Sequence, residues 1–148
     1  MSLSSNINPL AFKAFVVIFP HRVMSSMDND LFFYRTVVFT RTNDKISLVD
    51  INEMQNQTPL DDWFGVIVSL ADGQHTIREL ITYLGKHYQQ TPVNLEKTVY
   101  SIVTRLIEGN ILKLSSSALE LPYYLTLPVE QLDITKAKQL IEQDGYIH

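Results

Sequence analysis

The chain has 148 residues, 45% of them hydrophobic and 19% charged, with a net charge of −4 and no cysteine. Such a length suits one domain with room for an appendage, and a core that hides about 70% of the unfolded surface without disulfides or metal. Having no cysteine removes thiolate chemistry and agrees with a reducing, cytoplasmic setting, while the acidic balance argues against a dedicated nucleic-acid binder.

In chain order, residues 1–9 are small and polar and are expected to form a flexible N-terminus. "MSLSSNINPLAFK" carries one lysine and is followed by no small-residue cleavage site, so no secretory signal peptide is expected. The apolar run "AFVVIF" (14–19) is too short to span a bilayer. "AFKAFVVIFP", closed by Pro20, reads as a strand rather than a helix, and Asp28-Asn29-Asp30 as a turn. "LFFYRTVVFTRT" (31–42) is β-branched and aromatic and reads as one strand. Asn43-Asp44 then turns the chain into "KISLVDI" (45–51), which makes an antiparallel hairpin. Residues 12–51 are thus expected to form an antiparallel sheet of about three strands.

The period changes from 2 to 3.6 near residue 58. "INEMQNQT" reads as a polar loop, and helices are expected over 59–71, 76–89 and 93–108. Trp63, Val66, Ile67 and Leu70 form the first apolar face, with Asp61 and Asp62 in the first turn. "DGQH" breaks it, with Gly73 expected to serve the helix C-terminus. Thr76 and Glu79 have capping-box spacing ahead of the stripe Ile77, Leu80, Ile81, Leu84 and Tyr88. Pro92 opens the third helix, whose stripe is Leu95, Val99, Ile102, Val103, Leu106 and Ile107, and Gly109-Asn110 closes it in left-handed geometry. "ILKL" (111–114) is a short strand, "SSSALELPYYLTLP" a wing-like or linker segment, and "DITKAKQLIEQDGYIH" an amphipathic helix capped near Asp133 or Thr135. The fold class is α+β: a winged helix-turn-helix-like tri-helical unit behind an N-terminal sheet, with residues 10–114 as the domain and 115–148 as wing, linker and tail helix.

Catalytic constellations do not emerge. The histidines fall at 21, 75, 87 and 148, with no metal-ligand spacing, and "DND" at 28–30 lacks the glycine and glutamate of a calcium loop. Glycine elbows, phosphate loops and dinucleotide fingerprints are missing as well. No catalytic residue, metal or cofactor is therefore assigned. Against DNA binding, Lys97 and Arg105 of the third helix are offset by Glu96 and Glu108, and "SSSALELPYY" has no basic residue to lie on phosphates. In the strand at 31–42, alternation sends Phe33 and Phe39 to one face and Phe32 and Tyr34 to the other. One face covers the helices; the other, if open, would suit a partner or a second copy of the chain, unless Tyr123 and Tyr124 fold the tail back onto it.

"SLADGQHTIRELITYLGKHYQQTPVNLEKTVYSIVTRLIEGNILK" resembles the helical half of the PqqD-like proteins. The elements that carry the likeness are Leu70, Asp72, Gly73, Thr76, Glu79, Leu80, Tyr88, Leu106, Gly109 and Ile111. "KISLVDINEM" resembles the last strand and the segment before the family's first helix, about ten residues further from it than in the family. The likeness covers roughly residues 31–114. It implies a non-catalytic module that adds a precursor (leader) peptide as an extra strand and presents it to a modifying enzyme, often a radical one. Placed on this chain, it makes "KISLVDI" a sheet-edge strand, with Ile46, Leu48 and Asp50 on one parity and Ser47 and Val49 on the other. Lys97, Ser101, Thr104 and Arg105 would line the third helix's wall of the groove, the two cations favouring an acidic peptide. The competing expectation is that this edge is already paired, by the N-terminal segment or in a homodimer.

Overall fold

A computed structural model describes residues 28–88 and 93–146. Asp28–Asp30 turns as expected: the Asp28 side chain accepts from the Asp30 N–H at 2.9 Å, and its carbonyl accepts from Leu31 at 3.2 Å. The expected strand at 12–20 lies outside the described residues.

The run at 31–42 is two strands rather than one, β1 (Phe32–Arg35) and β2 (Phe39–Thr42), and they belong to different sheets. Nothing in its apolar composition marks the division, because Val37 and Val38 between them are buried too. Partners elsewhere divide it. β1 is the central strand of a sheet ordered β5-β1-β6, where β5 is Asp72–Thr76 and β6 is Leu112–Ser115, both antiparallel to it. β2 opens a meander with β3 (Lys45–Asp50) and β4 (Glu53–Pro59). The β2–β3 hairpin turns through Asn43 and Asp44 at φ 53° and 65°, a left-handed pair matching a two-residue turn. The described residues thus form an α+β molecule with two small antiparallel three-stranded sheets, and the strands expected in one N-terminal sheet divide between them.

β4 corrects the expectation of a polar loop. Every one of its residues is exposed, so no hydrophobic alternation announced it. Backbone ladders need no apolar side chains, and Ser47, Leu48 and Val49 pair with Pro59, Thr58 and Gln57. The next pair is Asp50 with Glu53, so residues 54–56 bulge outward.

The three expected helices are present as α1 (Asp62–Leu70), α2 (Ile77–His87) and α3 (Leu95–Glu108). At the start of α2 the capping box is complete: the Thr76 hydroxyl accepts from the Glu79 N–H at 3.2 Å, and the Glu79 carboxylate from the Thr76 N–H at 2.9 Å. Asn94 caps α3 by accepting from Lys97 at 3.4 Å. Of the pair closing α3, Asn110 alone is left-handed (φ 60°). The helical stripes meet in one core containing Trp63, Ile67, Ile77, Leu80, Leu84, Val99, Ile102 and Leu106, closed by Phe33 and Leu112 from the sheet. Ile81 packs at its margin.

A second core holds the rest. Val38, Val49 and Ile51 of the meander pack against Tyr124 and Leu125 in α4 (Tyr123–Thr126), then Val129 and Leu132, and Ala137 in α5 (Ile134–Asp144). The segment after residue 115 is therefore a layer of the fold and covers the meander. Asp133 caps α5, accepting from Lys136 at 3.1 Å, and Gly145 ends it at φ 68°. Among the described residues, no helix is long and apolar enough to cross a membrane.

Candidate functional site

The expected groove needs an open strand edge, and β3 does not supply one. It is the middle strand of its sheet. Arg41, Thr40 and Phe39 pair with Ile46, Ser47 and Leu48 on one side, and residues of β4 pair on the other. The remaining positions are also occupied, since Val49 N–H donates to Val38 O at 3.2 Å and Leu60 N–H to Ile46 O at 3.0 Å. Both faces are covered as well. Ile46 lies against Gly65 of α1, where a Cβ would come within 2.9 Å of it, and Val49 joins the second core. Ile46, Ser47 and Val49 are buried, Leu48 is half-buried, and Asp50 is exposed beside the bulge. Edge status is a relation between strands, and the strand that removed it here had no apolar signature.

On α3, Lys97 and Arg105 are exposed, but Ser101 and Thr104 are 5% and 8% exposed. Ser101 returns its hydroxyl to the Lys97 carbonyl at 3.0 Å. The Thr104 hydroxyl is buried with no hydrogen-bond partner. Half of the expected helix wall is thus out of reach of a ligand.

The other strand edges differ sharply in what lies on them. The β2 edge is closed by Glu130, whose carboxylate accepts from the Arg41 N–H at 3.0 Å and from the Thr40 hydroxyl. Burial pushes the Glu130 carboxyl up, but those hydrogen bonds outweigh it and hold it below the ordinary 4.5. The β5 edge is closed by Leu119, whose N–H donates to Gly73 O at 3.0 Å. The β4 edge bulges at residues 54–56, a device that blunts pairing.

β6 is different. Thr36 N–H donates to Ile111 O at 2.9 Å, while Arg35 N–H donates to Ala71 O at 2.9 Å on the β5 side. Even-numbered residues of β1 therefore bond towards β6 and odd-numbered ones towards β5. Continued along the ladder, Tyr34 bonds to Lys113 and Phe32 to Ser115, which turns the backbone groups of Leu112 and Leu114 away from β1. No strand lies beyond β6 among the described residues, and β6 packs beside α3.

Arg35 is the polar residue that sequence reasoning missed. It is 2% exposed and faces carbonyls: Nη1 donates to Val68, Ser69 and Ala71 at 3.1, 3.2 and 3.3 Å, Nε to Leu125 at 2.7 Å and Nη2 to Thr126 at 2.8 Å. The guanidinium also lies over the Phe39 ring, 4.6 Å from its centre. Burial brings it down from 12.5 to about 10, so it is charged at neutral pH. It joins the C-terminal end of α1, where carbonyls concentrate negative potential, to α4 of the tail. A single arginine inside "LFFYRTVVF" was the available signal.

No family model, curated protein or solved structure matches the chain. Function has to be argued from the geometry. Among the described residues, no group of three or more His, Cys, Asp or Glu could hold a metal ion. The His75–Asp72 pair, at 3.1 Å, is exposed and lies in the turn-rich β5. A cleft of about 250 Å³ lies between the β3–β4 turn and α5, bordered by Asp50, Ile51, Asn52, Ile141 and Tyr146.

Proposed function

We propose that this chain is a non-catalytic peptide-binding module of the PqqD-like, winged helix-turn-helix kind. It takes an extended precursor peptide by strand addition and presents it to a modifying enzyme. The observation that carries the reading is the edge of β6. Its Leu112 and Leu114 backbone groups point away from β1; Leu112 is wholly buried and Leu114 half-buried, and the strand adjoins α3 with no neighbouring strand among the described residues. Backbone pairing there supplies affinity that depends little on sequence, and side chains of alternate peptide residues supply selection. The succession α1, β5, α2, α3, β6 fits a winged-helix arrangement in which β1 fills the centre of the sheet. The groove is thereby moved from β3 to β6, the strand that shares an edge with the third helix. Lys113 on β6, with Lys97 and Arg105 on α3, is exposed and gives a preference for acidic peptides.

The test selects binders from a displayed library of extended peptides and measures amide hydrogen exchange with a selected peptide bound. The Leu114 amide is expected to become protected, and raising salt to weaken acidic peptides most. Protection of β4 amides alone, or no selected binder at all, overturns the assignment. Protection of Leu114 that appears only in concentrated protein without peptide would favour a homodimer through the same edge.

A further inference from the structure

The β5 edge carries a second, more specific feature. Gly73 lies at φ 78°, within an irregularity where Phe32 and Tyr34 of β1 span Thr76 to Asp72 of β5. A Cβ at this glycine would come within 2.8 Å of both Leu119 Cδ1 and the Leu119 carbonyl oxygen. The missing side chain is therefore a slot, and Leu119 fills it. One backbone and one side-chain hydrogen bond hold the contact: Leu119 N–H donates to Gly73 O at 3.0 Å, and Gln74 Nε2 donates to Leu119 O at 2.6 Å. Its surroundings are sparse. Ser116, Ser117, Ala118 and Glu120 are exposed, and Leu119 belongs to neither hydrophobic core.

We infer that Gly73 and Gln74 form a leucine-recognising peptide site, held shut in cis by the chain's own Leu119. Its ligand is an extended peptide with a leucine flanked by small or polar residues, since that is the segment already seated there. Such a peptide donates one backbone N–H to Gly73 O, accepts from the Gln74 amide, and lays its leucine over the Gly73 Cα. The cis segment is tethered on both sides, by β6 and by the second core. It competes at an effective concentration of order millimolar for a short tether, so the site is masked unless the tail segment lifts. This site stands on the edge opposite β6 and does not rest on the reading given above.

The probe is a fluorescent peptide of residues 116–122, SSALELP, followed by anisotropy against the full chain. Leu119→Ala is expected to bind it at least tenfold more tightly than the natural chain, and a control peptide SSAAELP to bind neither. Gly73→Ala, which puts a methyl group in the slot, should expel Leu119 and still bind no peptide. Equal binding of SSALELP by the natural chain and Leu119→Ala, or equal binding of the two peptides, overturns the inference. So does loss of cooperative melting in Leu119→Ala, which would make the leucine part of the core and not a displaceable plug.

Discussion

The described residues form two hydrophobic cores, and they are built by different means. The first joins α1, α2 and α3 to Phe33 and Leu112, and its members recur at helical spacing along continuous segments. The second gathers Val38, Val49 and Ile51 from the meander with Tyr124, Leu125, Val129, Leu132 and Ala137 from the tail. Within the tail, α4 has only four residues, too few to hold its own shape in water. Directional polar bonds make up the difference. Arg35 binds the α4 carbonyls, Glu130 closes the β2 edge, the Tyr123 hydroxyl accepts from the Asp133 N–H at 2.8 Å, and the Tyr146 hydroxyl donates to Thr36 O at 2.8 Å. A core assembled from periodic stripes needs few such ties. One assembled from scattered segments depends on them.

The largest expected effect is that of Arg35→Met. It fills much of the same space but removes the guanidinium's bonds to five carbonyls, of which Ala71 O keeps the Arg35 N–H and Val68 O the Ala71 N–H, at a cost of about 3–5 kcal/mol. The loss should fall on the second core. Protease is expected to cut within residues 116–146 while the far-ultraviolet helix signal of the first core persists. Uniform loss of both cores would show that the two are one cooperative unit.

Leu106→Ala should do the reverse. The side chain is buried in the first core, and its removal is expected to lower stability in urea melts by about 2–5 kcal/mol. A loss below about 1 kcal/mol would mean that the helical stripe does not carry the core.

Alkaline titration sharpens the comparison from the other side. Desolvation, with the Asp144 carboxylate bonded at 2.9 Å, pushes the Tyr124 phenol up to about 12, and desolvation does the same for Tyr146. Both exceed the ordinary value of 10.0, so the folded state keeps these protons longer than the open chain. Their contribution is whole below pH 10 and is lost as pH rises towards 12. The Arg35 guanidinium, drawn down to about 10, acts in the opposite sense over this range. Tyr146→Phe isolates the tyrosine share: its stability should fall less steeply with pH, read by tyrosinate absorbance and urea melts together.

The smallest effects distinguish two helix caps. Thr76→Ala removes the hydroxyl of a complete capping box, and Asp133→Ala removes a single cap bond; each is expected to cost about 1 kcal/mol. Thermal melts should show the first lowering the stability of the helical core, and the second acting through the tail alone.

The sequence by itself determined what depends on neighbours along the chain. The helical stripes, the Thr76–Glu79 box, the Asn43-Asp44 turn, the short strand after α3 and a cap near Asp133 or Thr135, which the structure places at Asp133, all follow from spacings of a few residues. Tertiary structure decided what depends on partners far away. It split residues 31–42 between two sheets and made β3 central by pairing it with the wholly polar β4. It also put Gly73 under Leu119, 46 residues later, where neighbouring residues suggested a helix end. Candidate site residues divided along the same line. Ile46, Ser47 and Val49 do alternate in a strand, as their pattern says, but whether a strand has a free edge is settled by its neighbours. Backbone hydrogen bonds carry no side-chain signature, so the pairing of strands, and with it the position of any binding edge, is fixed only when the whole chain has packed.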